Sequence, residues 1–242
     1  VFWRRRYQHQ RRPDPEIDAL ADLEFSSLLE IGCAYGRVLQ KIKNRYPEKE
    51  IHGIDLCPYF DTYWERYQIE HPELKGLRVI FDNFLTTDLL ARSYDIGLLP
   101  MNTFPSLDRE ELGSLFASVR QHLSSDGYFV FSTYSNPEKI ISRPRSIRYS
   151  GEFAVEKGSS PIGIEFFSLP DRITTDGLEA ITYHKYSVFD QKYRLQDQRC
   201  FRTSYRVYRP QILAEIIEEN QFKIDHIFAS SHSDVYFVQP NQ

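Results

Sequence analysis

The stretch Leu28–Arg37, LLEIGCAYGR, constrains this chain more than any other. An apolar run carrying one acid, Glu30, gives way at once to Gly32 and Gly36, which predicts a buried strand that breaks sharply into a helix. From Leu28 to Tyr134, strand-like apolar runs alternate with amphipathic stretches. That is the pattern of parallel strands joined by helices, and an open sheet of this kind holds its ligands at the carboxyl ends of its strands. Strands are predicted at Ser27–Ile31, Glu50–Asp55, Leu77–Phe81, Tyr94–Pro100 and Gly127–Thr133. A helix is predicted over Glu110–Leu123, where Leu112, Leu115, Phe116, Val119 and Leu123 recur at three- and four-residue spacing. The cluster Ser124-Ser125-Asp126-Gly127 is expected to end it as a turn.

Beyond Asn136 the texture changes. SIRYSGEFAV, IGIEFFSL, LEAITYHKYSVFD and RCFRTSYRVY are rich in Tyr, Phe, Ile and Val between turn residues, and predict four antiparallel strands inserted into the alternating core. A helix from Arg209-Pro210 to about Glu219 follows, and FKIDHIFAS and DVYFVQP then read as a terminal pair of strands. The expected organisation is an N-terminal helical arm (1–26), a core (27–136 and 209–242) and an inserted sheet (137–208).

Composition excludes several function classes. The chain is 41% hydrophobic and 26% charged with a formal net charge of -4, which is ordinary for a globular protein and calls for no nucleic-acid or membrane partner. No apolar run approaches the length of a membrane helix, and the first thirty residues lack a secretory layout, so a cytoplasmic location is expected. Cys33, Cys57 and Cys200 form no CxxC pair and have no His at ligand spacing, which points to reduced thiols and no metal. The basic run WRRRYQHQRR (Trp3–Arg12) reads as a solvated face in preference to a phosphate-binding arm.

The turn itself discriminates among nucleotides. A dinucleotide site wants glycine where this chain has Gly32, Ala34 and Arg37, and two of the three positions fail. A P-loop wants Lys then Ser or Thr after its second glycine, and Arg37-Val38 stands there. An acid on the strand, then Gly32, a small residue at 34 and Gly36, resembles the first motif of the class I S-adenosylmethionine-dependent methyltransferases. IHGIDL, which carries Asp55, and the segments LRVIFDNF, YDIGLLPMNTFPSL, VRQHLSSDGYFVFST and YRPQILAEIIEENQFKIDHI resemble successive regions of that family.

The resemblance implies a Rossmann-like, seven-stranded, mostly parallel sheet with a terminal antiparallel hairpin and an antiparallel β lid. It implies S-adenosylmethionine as cofactor, with Glu30 near its ammonium end and the backbone of Gly32, Ala34 and Gly36 passing close to it. Ala34 departs from the family's glycine, and its methyl group is tolerated where φ is negative. Asp55, with Leu56 beside it, is expected to accept both ribose hydroxyls. Asp82 or Asn83 meets the adenine amino group, Phe84 closes over the ring, and Pro100 and Met101 border the cofactor. Tyr7 on the arm, Asn102 past strand four and Tyr134 past strand five are the candidate catalytic residues.

The place after strand four reads Pro100-Met101-Asn102-Thr103, without the (Asn/Asp)-Pro-Pro-aromatic motif of enzymes that methylate the exocyclic amino groups of bases or glutamine amides. The inserted sheet resembles in position the lid of small-molecule N- and O-methyltransferases, which implies a small-molecule acceptor with a nitrogen or oxygen nucleophile. Tyr183, Tyr186 and Tyr205 either line its site or pack the inserted sheet and a homodimer contact. His122 reads as structural near a helix C-terminus, whereas His184 and His232 are the candidate bases. The alternatives are a methyltransferase acting on protein or RNA, and a non-catalytic cofactor-binding scaffold.

Overall fold

A computed structural model describes residues 14–34, 36–58, 61–74, 77–87, 93–100, 103–134, 149–154, 161–190, 192, 194–230 and 233–241. They fall into two compact units, one within 11–134 and 213–242 and the other within 135–212. Among the described residues no helix is long and apolar enough to cross a membrane.

The larger unit is built on β1 (Ser27–Ile31), whose five residues are all buried, as befits a strand covered on both faces. It pairs in parallel with β2 (Glu50–Asp55) on one side and β4 (Tyr94–Leu99) on the other. Then β3 (Arg78–Phe81), β5 (Leu123–Thr133) and the antiparallel strands β10 (Phe222–Ala229) and β11 (Asp234–Pro240) complete the order β10-β11-β5-β4-β1-β2-β3. Chain order therefore reverses between β1 and β4, and the crevice of an open parallel sheet opens at that point.

Register assigns side chains to faces. Glu30 lies opposite Leu98, and Leu98 opposite Val130, so these three share one face of the sheet. Leu98 and Val130 pack there with Ile17 and Leu20, from α1 (Pro15–Ala19) and the single 3-10 turn after it, and with Leu39 and Ile42 of α2 (Arg37–Arg45). Phe129 and Phe131 alternate with Val130 and point the other way. Phe131 stacks on Phe104 with ring centroids 4.2 Å apart, and Phe116 of α4 (Arg109–His122) meets Phe129 edge-on at 5.6 Å. Helix α3 (Asp61–Glu70) follows β2, and α5 (Pro210–Glu219) precedes β10.

Helix α4 begins with a full capping box: Asp108 accepts from Glu111 N at 2.9 Å and Glu111 accepts from Asp108 N at 2.8 Å. Its end corrects the sequence reading. The helix stops at His122, and Ser124–Gly127 belong to β5, which begins directly at Leu123. Pairing of Leu123 with Tyr94 draws the turn-rich residues into the ladder, with an irregular register before Ile96. Asp95 fastens the amino ends of these strands, accepting from Ser26 N at 2.7 Å and Ser27 N at 3.1 Å.

The smaller unit is an antiparallel meander, β6 (Tyr149–Ala154), β7 (Pro161–Ile173), β8 (Gly177–Phe189) and β9 (Leu195–Tyr208). The turn into β8 rests on Gly177 at φ 154, where an added Cβ would lie 2.0 Å from Val207 O. Tyr186 meets Phe201 edge-on at 5.6 Å, and the first ten residues of β9 are exposed.

Candidate cofactor site

Three residues in the left-handed region turn the chain from β1 into α2: Gly32 at φ 74, Ala34 at φ 49 and Gly36 at φ 69. Backbone bonds from Gly32 N to Ile54 O (2.8 Å), Cys33 N to Ile54 O (3.2 Å) and Gly36 N to Cys33 O (2.7 Å) hold this path. A Cβ on Gly32 would meet nothing within 4 Å, so this glycine faces open space. A Cβ on Gly36 would fall 1.9 Å from Cζ2 of Trp64, whose indole covers the turn and donates from Nε1 to Ala34 O at 3.1 Å. Gly53 on β2 serves the same region, for a Cβ there would collide with Leu39 Cδ1 at 2.6 Å and Cys33 Sγ at 2.7 Å.

Ala34 does not meet the condition of a negative φ under which its methyl group is tolerated. The chain must reverse within five residues, and the left-handed conformation at 34 aims its N–H at Asp55 Oδ2, 2.7 Å away. An L-residue with a Cβ is strained there by about 1–2 kcal/mol. Asp55, at the carboxyl end of β2, also accepts from Cys57 N through Oδ1 at 2.8 Å. Each of its oxygens retains a lone pair for a further donor. Leu56 beside it is 68% exposed, an open apolar side chain at the same strand end.

Glu30 is the chemical centre of the site. It is 2% exposed, and its Oε2 has no partner among the described residues. Burial pushes its pKa well up, against the Arg37 charge and a hydrogen bond from the Leu39 N–H, while Glu16 and Asp55 push it further up. Leu39 N–H is one of the unpaired donors of the first turn of α2, whose N-cap, Gly36, has no side chain to offer it. The carboxylate thus stands where a capping side chain would, at the positive end of the helix dipole. Cys33 is buried too, and its thiol pKa is pushed up by burial and then by Glu30 and Asp55.

The loop after β3 organises itself. Asp82 accepts from Thr87 Oγ1 at 2.6 Å and Asn83 N at 2.8 Å, and these bonds lower its pKa. Asn83 Oδ1 in turn accepts from Leu85 N at 3.0 Å. Phe84 is 6% exposed and tilts against the His122 ring at 5.9 Å, while its carbonyl accepts from Ser118 Oγ. Pro100 is buried past the end of β4, and its carbonyl accepts from Thr103 Oγ1 at 2.8 Å. Tyr134, half-buried, directly follows β5. Tyr7, Met101, Asn102 and His232 lie outside the described residues, and for His184 only its place in β8 is described.

The structure thus brings Glu30, Gly32, Ala34, Gly36 and Asp55 to one strand end, with Leu56 next to them. Trp64 was not foreseen, because nothing in the spacing of YWERYQIE ties it to a turn some thirty residues earlier.

The fold is that of the class I S-adenosylmethionine-dependent methyltransferases. Residues 29–131 match the family model for a methyltransferase domain. A malonyl-[acyl-carrier protein] O-methyltransferase of Halalkalibacterium halodurans is 23% identical over 111 residues. That match covers 46% of this chain and spans 40% of the relative's length. Among solved structures, an S-adenosylmethionine-dependent methyltransferase from Clostridium acetobutylicum superposes with a TM-score of 0.73 at 13% identity, over 100% of this chain and 97% of that one. CalS10, an amino pentose methyltransferase from Micromonospora echinaspora solved with its S-adenosylmethionine bound, gives 0.71 at 14%, over 100% and 97%. The sugar N-methyltransferase KedS8 from a Streptoalloteichus species gives 0.72 at 14%, over 100% and 92%. At such identities the likeness is one of fold.

Two substitutions test this geometry. Ala34→Gly is expected to relieve the left-handed strain and, after the larger unfolded-state entropy of glycine, to raise stability by about 0.5–1 kcal/mol in denaturant titration; lower stability would show that the Ala34 methyl makes a contact worth more than the strain. Glu30 has a folded pKa above its unfolded value, so the protein loses stability as pH rises from the unfolded pKa, about 4.3, towards the folded one. Glu30→Gln should abolish that loss and melt higher than the parent at neutral pH without ligand; a melting curve that matches the parent at every pH would place the charge elsewhere.

Proposed function

We propose that this chain transfers a methyl group from S-adenosylmethionine to a nitrogen or oxygen of a small organic acceptor. The observation that carries the reading is the buried Glu30 carboxylate, with one oxygen unpaired, at the base of the open turn at Gly32. An uncompensated buried carboxylate calls for a cation, and the amino-acid end of this cofactor supplies an ammonium group. The donor set fits the rest of the molecule: Asp55 for ribose hydroxyls, Asp82 or Asn83 for the adenine amino group, and no lysine or serine pattern for phosphate.

Bound here, the cofactor supplies an electrophilic methyl carbon on a positive sulfur. The acceptor lone pair forms the new bond as the carbon–sulfur bond breaks, its electron pair returning to sulfur, and the acceptor's proton passes to a base or to water. Alignment and exclusion of water then account for most of what the protein contributes, on the order of 7–11 kcal/mol of barrier for well-oriented reactants. Tyr7, Asn102 and Tyr134 are the residues proposed to orient the acceptor. The four-stranded unit is proposed as the acceptor-recognising lid, since its β8 and β9 present Tyr183, Tyr186 and Tyr205. Sugar and natural-product methyltransferases of the same fold support a polar small-molecule acceptor. Three unpaired thiols, Cys33, Cys57 and Cys200, support a cytoplasmic setting.

Calorimetric titration is expected to show binding of S-adenosylmethionine and S-adenosylhomocysteine and none of NAD, and Asp55→Ala should weaken the adenosyl ligands by about 1.5–3 kcal/mol. Binding of NAD alone would overturn the cofactor assignment, and adenosyl binding without transfer to any acceptor would favour a scaffold. We also infer a homodimer through the inserted sheet, because Leu195 (53%) and Phe201 (51%) leave large apolar surface exposed on the edge strand β9. Sedimentation should give a dimer that Phe201→Glu dissociates, and a monomeric parent would refute it.

A further inference from the structure

Helix α3 lays Trp64 over the glycine turn, and the residue is only 3% exposed. Its Nε1 donates to Ala34 O at 3.1 Å. Ala34 is held on its amino side as well, where its N–H donates to Asp55 Oδ2 at 2.7 Å. The two partners lie 21 and 30 residues further along the chain, at the end of β2 and in the helix that follows it. Trp64 meets Tyr67 edge-on with ring centroids 5.8 Å apart, and Tyr67 Oη donates to Gln40 Oε1 of α2 at 2.7 Å. A tie from α3 to α2 thus stands beside the indole.

The three left-handed residues of the turn differ in what each one faces. Gly36 is a seat for the indole, since an added Cβ would lie 1.9 Å from Trp64 Cζ2 and 2.4 Å from Cη2. Gly32 faces open space, which leaves it to a ligand. Ala34 stands between them with a Cβ at φ 49, where an L-residue is strained. A residue so strained keeps its conformation only while its surroundings hold it. Relaxation of Ala34 would swing its carbonyl away and shift the backbone between Gly32 and Gly36. A turn that populates its competent path only in part binds its ligand more weakly by the missing fraction.

We propose that Trp64 is a positioning residue of the cofactor site: by donating to Ala34 O it holds the turn in its left-handed path, ready for the cofactor. This role rests on the proposed cofactor. It makes the second glycine of the turn a requirement of the indole, and it places a determinant of cofactor affinity outside the turn, on the helix after β2.

The test is calorimetry with S-adenosylhomocysteine on the full chain, with unfolding in denaturant followed beside it. Trp64→Phe removes the N–H and keeps an aromatic ring over Gly36. It should weaken binding about fivefold, the scale of one hydrogen bond, and raise KM for the methyl donor with kcat unchanged. Glycine takes the left-handed region about as readily as the right-handed one, so adding Ala34→Gly to Trp64→Phe should restore most of the affinity. A Trp64 that only packs the core would lower stability and leave affinity unchanged, and general damage to the fold would leave the double mutant as weak as the single one. Either result overturns the role while the cofactor reading stands. The unmutated indole gives a second measurement, because coupling is reciprocal: S-adenosylhomocysteine should slow solvent exchange of the Trp64 Nε1–H. The chain has 2 tryptophans, so its NMR signal is assigned with Trp3→Phe. An exchange rate that saturating S-adenosylhomocysteine leaves unchanged overturns the role even where Trp64→Phe fails to fold. A parent protein that binds no S-adenosylhomocysteine overturns the cofactor reading and this role with it.

Discussion

A carboxylate buried in the middle of a parallel sheet is an expensive thing to maintain, and Glu30 is such a group. It sits on the central strand, flanked by strands on both sides, facing the layer of helices α1 and α2. What the fold offers in return is a hydrogen bond from Leu39 N–H, the dipole of α2 and the nearby Arg37 charge. Burial outweighs these, and the acids Glu16 and Asp55 add to it, so the pKa of Glu30 is pushed well up. Two residues further on, the chain opens at Gly32, where an added Cβ would meet nothing within 4 Å. Sheet order and the start of α2 at Arg37 together fix an acid whose pKa burial pushes well up.

The turn above it is shaped from outside. Three successive left-handed residues at alternate positions are not a conformation a short segment holds by itself, and Ala34 least of all. Asp55 pulls on the Ala34 N–H from one side and the Trp64 indole bonds its carbonyl from the other. Two glycines make room for this clasp: Gly36 admits Trp64, and Gly53 admits Cys33 and Leu39. Asp55 thus has a structural task in addition to its proposed contact with ribose, and its loss is felt by the turn as well as by the ligand.

Much of this was legible in the order of residues. The strands at Ser27–Ile31 and Glu50–Asp55 have the predicted bounds, both being buried along nearly their whole length between parallel neighbours. Helix α4 starts where its capping residues Asp108 and Glu111 stand. Ser124–Gly127 misled, since turn-forming composition is a local preference and the ladder between β4 and β5 outweighed it. The sign of φ at Ala34 was beyond local reasoning, for it depends on where Asp55 lies. Phe84 shows the same limit: its ring is covered by His122 from α4, a neighbour that only the packing of the helix against the sheet supplies.

The amino-acid sequence by itself determined the periodicities, and with them the alternating core, the inserted antiparallel strands and the glycine turn with its acid, because backbone sterics and apolar burial act over a few residues at a time. Only the tertiary structure decided which charges answer one another. Asp14 with Arg37, Glu16 with Ser132, Asp55 with Ala34 and Trp64 over Gly36 each join residues at least twenty positions apart, and none is implied by spacing. Electrostatics and close packing depend on distance in space, and distance in space is what the fold sets.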